Sequence, residues 1–332
     1  NVPLRPPAGP HTASMGDHDG RQADAVRLCF GDEDMARLYR HQRPTELRLA
    51  AAALDPLQRQ AIDVVAAQAQ AAHREALPLL KERLAGMGFV EGGDGGEAAT
   101  AKLLRYMRDS APLVIHIHSA LSAFFKEEPR YKNQFETGTS GGSTCLSSRN
   151  GWEDRMFDGT YNEAEPIIKP KYGVVNPTLD PAGLTNCLHY GDCLMVLKNF
   201  RLRTTFCSHD SSESGSAMGT AAHQAHVLNR YDEGFLQRVT EVALGKSEWL
   251  SPEVGHSCQY PEIQLHGNVL LDRDVSAVIC NATDAEVLRE VFTPLKVPVF
   301  VRGEHVELHR TLLSHPVKYL INPAVSRRRE KR

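Results

Sequence analysis

Past residue 111 the chain breaks into short apolar runs parted by Gly/Ser/Asn-rich loops, and this texture most limits what it can fold into. The runs are "PLVIHIHS", "YGVVN", "DCLMVLKNFRLRTTFCS", "PEIQLHG", "VSAVICNA" and "VPVFVRG". Each is strand-sized, and none reaches the roughly 18 apolar residues that cross a bilayer. Helical patterns are confined to "ALSAFFKEE", "AAHQAHVLNRYDEGFLQRVTEVALG" and "ATDAEVLREVFTPL". Strand–helix–strand alternation is too irregular for a doubly wound sheet. The expectation is an α+β domain built on mixed or antiparallel sheets.

Before residue 111 the pattern is different. Residues 25–110 read as a helical lobe, with Asp55 as N-cap and Pro56 at the first helical position of a long helix. Pro78 is expected to end or kink that helix, which restarts and runs to Gly86; "AATAKLLRYMRDS" forms a further short helix. Residues 1–24 are Pro/Gly/Ser-rich and read as a flexible leader without the apolar core of a signal peptide. Such a leader fits an appended remnant or the unstructured start of a protein exported by a specialised secretion system. Residues 111–325 remain as a second, α+β domain.

With 332 residues there is enough chain for a sizeable core, and a formal charge of −3 gives no global basic field for nucleic acid. Seven scattered cysteines without a CxxC pair argue against a disulfide scaffold or a zinc knuckle.

Chemistry concentrates in a few places. In "VIHIH" a period of 2 puts His116 and His118 on one strand face, as metal ligands, hooks for a ribose hydroxyl, or hydrogen-bonded structural imidazoles. The metal reading makes the chain a metal-dependent hydrolase using His116 and His118. The loop "NQFETGTSGGST" brings bare backbone N–H groups to a ligand but fits neither the P-loop nor GxGxxG. In "PEIQLHG", Glu262 and Gln264 share a face of an otherwise apolar strand. A carboxylate there is costly to bury unless it is hydrogen-bonded or functional; the plainer alternative is an edge strand facing water. No GxSxG elbow or Cys–His setting appears, which sets serine and cysteine hydrolases aside.

The order "HIHS", "RYKNQFETGTSGGST", "WEDRMFDGTY", "KPKYGVVN", "YGDCLMVLKNFRLRTTFCSHDSS", "YPEIQLHGNVLL" resembles, over roughly residues 110–285, the CteC-type ADP-ribosyltransferase effector family. Members are type III effectors that modify ubiquitin on threonine. The resemblance implies an ADP-ribosyltransferase-like split two-sheet NAD-binding fold, NAD as substrate, a protein acceptor that is a threonine of host ubiquitin, blocked ubiquitination, and action in the host cytosol. The charge balance and the short apolar runs add the expectation of no nucleic-acid and no membrane partner. Carried over, His116 or His118 binds the dinucleotide on the first strand, Tyr172 or Thr204/Thr205 packs the nicotinamide, and Glu262 is catalytic. The loop residues Gly138, Thr139, Ser140 and Gly141 would sit against the nicotinamide or its phosphates. Arginine-modifying members carry a second Glu where this chain has Gln264, so the arginine-specific pattern is absent. A further alternative is a non-enzymatic interaction protein on a degenerate transferase fold.

Overall fold

A computed structural model describes residues 44–138, 145–180, 182–213, 215–246 and 260–302. The flexible-leader expectation for residues 1–24, and Thr139, Ser140 and Gly141, lie outside the described residues.

Three helices come first: α1 Pro44–Ala52, α2 Pro56–Gly86 and α3 Glu97–Asp109. Asp55 caps α2 with a full capping box, accepting from Leu57 N while Gln58 reaches back to the Asp55 amide. Contrary to expectation, α2 runs unbroken through Pro78. Buried Ala76, Leu80 and Leu84 clamp the helix on both sides of the exposed proline. The carbonyl that loses its donor therefore lies on the solvent side, where water serves it.

The rest of the chain supplies β1 Leu113–Ile117, α4 Ser122–Glu127, β2 Arg130–Tyr131, α5 Gln134–Thr137, α6 Leu146–Phe157, β3 Lys171–Val175, β4 Cys193–Leu197 and β5 Thr204–Cys207. It continues with β6 Met218–Thr220, α7 Ala225–Leu228, α8 Glu233–Ala243, β7 Glu262–Leu265, β8 Val269–Leu270, α9 Leu271–Asp274, β9 Val275–Cys280, α10 Ala285–Phe292 and β10 Val299–Val301. The fold is α+β, as expected.

Its main sheet has eight strands in the order β10-β9-β4-β1-β3-β7-β5-β6, antiparallel except for the β9–β10 pair, and β2 and β8 form a separate ribbon. The sheet is therefore continuous where a split into two was expected. The continuity comes from β1, which pairs with β4 along Val114–Ile117 and with β3 through Leu113–Val175 and Val114–Val174. The second join is narrow. Gly173 permits it: a Cβ there would stand 2.6 Å from the Val114 carbonyl oxygen.

One sheet face, carrying Ile115, Ile117, Met195, Ile263, Leu265, Phe206 and Val278, shares a single apolar core with Leu80, Leu84, Leu103 and Met107 of the N-terminal helices and with α8 and α10. The boundary near residue 110 is thus one of texture rather than of packing. The opposite face is apolar from Ile279 across Leu194 and Val114 to Val174, then turns polar at β7 and β5. No helix among the described residues is long and apolar enough to cross a membrane.

Candidate functional site

The polar half of that second face is set by register. Tyr172 of β3 lies opposite Gln264 of β7, which lies opposite Thr205 of β5. Alternation then projects Tyr172, Glu262, Gln264 and Thr205 from one face and sends Ile263 and Phe206 into the main core. β7 runs between β3 and β5, so Glu262 is interior to the sheet and the edge-strand alternative fails.

Glu262 is 2% exposed and accepts from Gln264 Nε2 at 2.8 Å and from the Ser211 hydroxyl. Burial pushes its carboxyl up to about 7, the nearby Arg149 pulls it back down, and Asp210 adds to the push. Gln264 is itself held. Thr205 Oγ1 donates to Gln264 Oε1 at 2.9 Å, so the Thr205 oxygen is left to accept from His266 Nε2 at 3.2 Å. His266 Nδ1 must then accept, and the Tyr161 hydroxyl donates to it at 2.7 Å. Burial lowers His266 to about 3, which keeps the ring neutral in this tautomer. A fully buried relay therefore fixes the Gln264 amide, which orients the Glu262 carboxyl.

Helix α6 covers this patch. Arg149, Glu153, Met156 and Phe157 share its buried stripe at helical spacing. The Arg149 guanidinium lies 4.1 Å above the Tyr172 ring and 4.8 Å from that of Trp152. Its Nη1 reaches the Ser211 hydroxyl at only 3.5 Å, and its buried Nε has no partner. No carboxylate among the described residues comes within ion-pair contact of it, although the charges of Glu262 and Glu153 both act on it. Glu153 accepts from the Tyr172 hydroxyl at 2.9 Å and faces Lys169 Nζ at 3.4 Å. Burial pushes Glu153 up to about 7 as well, against the pull of Lys169. Two buried carboxyls thus flank one guanidinium stacked on one phenol. Groups poised this way near neutrality are typical of sites that move protons or stabilise developing charge.

The sequence-predicted residues divide. Glu262, Tyr172 and Thr205 come together in this patch. Thr204 faces the other way and donates to the Phe200 carbonyl at 2.7 Å. His116 lies on the second face, packed against the turn that carries Gly183 and Gly191. Its Nδ1 donates to the Gly191 carbonyl at 2.9 Å and its Nε2 accepts from Leu184 N at 3.3 Å. Burial lowers it to about 4, so it is a neutral structural imidazole with both nitrogens engaged. The turn is moulded to it: a Cβ at Gly183 would come within 2.5 Å of His116 Nε2. His118 is not buried with it: the strand ends at Ile117, and His118 is exposed at the start of a 3-10 turn. The described residues hold one His/Cys/Asp/Glu cluster of metal-ligand spacing, Asp192, Cys193 and Asp284, and neither histidine is in it. Gly138 is exposed and ends α5 at φ 71°, closing a helix capped by Asn133 and Glu136.

Sequence reasoning missed Arg149, Glu153 and Ser211. Arg149 and Glu153 stand four residues apart before the apolar pair Met156–Phe157, a helical signal interrupted by Gly151 and without a capping side chain at Cys145. Other quoted segments prove structural in part. In "RTTF", Arg203 forms a buried pair with Asp274 at 2.9 Å. In "KPKYG", Lys171 is wholly buried and donates to the carbonyls of Ile167 and Lys169.

Comparison with known proteins adds one likeness. No curated protein matches the chain. Residues 116–258 are similar to the family described as "Protein of unknown function (DUF3626)", a span that takes in Arg149, Glu153, Tyr172, Thr205 and Ser211 and stops just before the strand that carries Glu262.

Proposed function

We propose that the protein is a mono-ADP-ribosyltransferase that cleaves NAD and passes ADP-ribose to a protein side chain, with Glu262 as the catalytic carboxylate. The observation that carries this reading is strand adjacency. β1, β3 and β7 lie side by side in that order, and Tyr172 and Glu262 project from one face. The resemblance likewise calls on a middle-strand aromatic or hydroxyl residue and a late-strand Glu, and Tyr172 and Glu262 stand on neighbouring strands here.

The chemistry suits the residues. Breaking the bond from ribose C1′ to nicotinamide builds positive charge on the ribose, and an ionised carboxylate beside it lowers the barrier. Glu262 takes that role, its carboxyl oriented by Gln264. A ribose hydroxyl replaces the Ser211 hydroxyl as its second partner. Tyr172 provides the aromatic surface for the nicotinamide, held by Arg149 above and Glu153 at its hydroxyl. The apolar neighbours Val114, Val174 and Leu184 keep water away. His116 takes no part in this reading, since both its nitrogens are engaged.

A threonine of ubiquitin as acceptor, delivery by a type III-like system and action in the host cytosol belong to the same proposal and rest on the resemblance alone. The test is incubation of the protein with labelled NAD, ubiquitin and cell lysate. Protein labelling by the wild type and its loss in Glu262→Ala are expected; labelling that survives the substitution would overturn the catalytic assignment.

A further inference from the structure

Five side chains stand in line behind the site, from Tyr161 through His266, Thr205 and Gln264 to Glu262, and none is more than 2% exposed. The links are 2.7 Å from Tyr161 to His266 Nδ1, 3.2 Å from His266 Nε2 to Thr205, 2.9 Å from Thr205 to Gln264 and 2.8 Å from Gln264 to Glu262. An imidazole, a hydroxyl and an amide each donate on one side and accept on the other, so such a line can be polarised in two directions. In the direction described above, every donor points toward Glu262 and the Gln264 amino group meets the carboxyl. In the other, the ring proton sits on Nδ1, Thr205 donates to Nε2, and the Gln264 amide is turned over. Its oxygen then faces Glu262, and an amide oxygen only accepts. The reversed line therefore fits only a protonated Glu262 that has taken its proton from solvent. The imidazole carries one proton in both directions, because burial and the charges of Lys171 and Arg203 keep it neutral.

The far end decides the direction. The Tyr161 hydroxyl has one hydrogen, and His266 Nδ1 is its hydrogen-bond partner among the described residues. Reversal puts a proton on Nδ1 and leaves the phenolic hydrogen buried without an acceptor, which disfavours the reversed line. Phe157, edge-on at 5.3 Å, holds the Tyr161 ring in place. Cys207 does not choose between the directions: its thiol lies 3.2 Å from Gln264 Nε2 and 3.7 Å from Oε1, and a thiol both donates and accepts. At the near end Arg149 of α6 favours the ionised carboxyl and Asp210, beyond β5, opposes it. The other titratable groups that feel the charge of Glu262 are phenols and thiols held neutral by burial. They are Tyr172 of β3, Cys207 of β5, Tyr260 ahead of β7, and Cys187 and Tyr190 of the turn before β4.

We infer that the chain Tyr161–His266–Thr205 positions the Gln264 amide so that Glu262 is held as the carboxylate, and that Thr205 acts through Gln264 rather than by packing a ligand. The catalytic use of this chain rests on the transferase reading above; the coupling between its direction and the charge of Glu262 stands without that reading. Tyr161, His266 and Thr205 are thus positioning residues, set behind the carboxyl on the side away from Ser211.

Difference infrared titration of the full-length protein reads the protonated Glu262 carboxyl as the band that Glu262→Gln removes. Tyr161→Phe and Thr205→Val are expected to raise the midpoint of that band, with ionisation about 10-fold less favourable. Thr205→Ser, which keeps the hydroxyl, is expected to restore the wild-type midpoint. An unchanged midpoint in folded Tyr161→Phe overturns the inference. A shift in Thr205→Ser as large as in Thr205→Val also overturns it, because the effect then comes from packing. Tyr161→Phe keeps the ring and its neighbours, so the test holds even where Thr205→Val does not fold. Nicotinamide release from NAD, followed across pH, is expected to move to higher pH with the midpoint. Release that stays in place while the midpoint moves overturns the catalytic use of the chain. No release by the wild type overturns the transferase reading, and the infrared midpoints then still decide the coupling.

Discussion

Replacing Glu262 by Gln isolates the energetic tension at the centre of the site. The carboxyl is buried in the folded chain, which raises it from about 4.5 to about 7, while in the unfolded chain it keeps its ordinary value. Between those two values the folded state holds a proton that the unfolded state has released, so stability falls as pH rises through this window. Above it, the wild type carries a cost of about 3 kcal/mol, the shift of about 2.5 units at 1.36 kcal/mol each. At pH 5 the cost is under about 1 kcal/mol by the same linkage. Glutamine resembles the neutral acid: its carbonyl still accepts from Gln264, and its amide can donate to Ser211. Thermal unfolding should therefore show Glu262→Gln more stable than wild type by about 5 to 10 °C at pH 8, and by about 2 °C or less at pH 5. The assay is a melting curve of both proteins across pH 5–8. A gain of equal size at both ends, or a loss at pH 8, would refute the argument that desolvation dominates the Glu262 carboxyl.

Further expectations follow from other parts of the fold. If Glu262 must be ionised to act, initial rates of nicotinamide release rise with pH through about 7, and a flat profile from pH 5 to 8 contradicts that role. Asp274→Ala leaves the Arg203 guanidinium buried without its partner and should cost about 3–5 kcal/mol in chemical denaturation, with Asp274→Asn milder. Gly191→Ala should fail to give a stable fold, because at φ 128° its Cβ would come within 2.0 Å of the Ile117 carbonyl carbon; normal circular dichroism and melting would contradict this. Tyr172→Phe removes the donor to buried Glu153 and should lower stability by about 1 kcal/mol, read by urea denaturation.

The residues differ in how openly they announced themselves. A glutamate in an otherwise apolar run signalled Glu262, and its burial between β3 and β5 bears out the reasoning that such a carboxylate needs partners. The helical start at Asp55 and Pro56 was equally plain, since capping is local chemistry. Sheet order was illegible, because β1 to β3 and β3 to β7 are joined by pairings across long stretches of chain that no local pattern records. α6 was hidden by Gly151 and by an uncapped start, and with it went Arg149 and Glu153. The histidine pair was legible as a pattern but not in its surroundings: β1 ends at Ile117, leaving His116 buried and His118 exposed. His116 needed the glycine turn at 183–191 to be seen, and that contact lies about 70 residues away in sequence.

In the proposed transferase, NAD cleavage depends on the Glu262 carboxyl, which Gln264 orients. The most direct measurement is chromatographic detection of nicotinamide released from NAD by purified wild type and by Glu262→Gln at pH 8, where the variant is expected to be the better folded of the two. Release by the wild type and a loss of at least about 100-fold in the variant are expected. Equal release by both, or none by a folded wild type, would contradict the proposal.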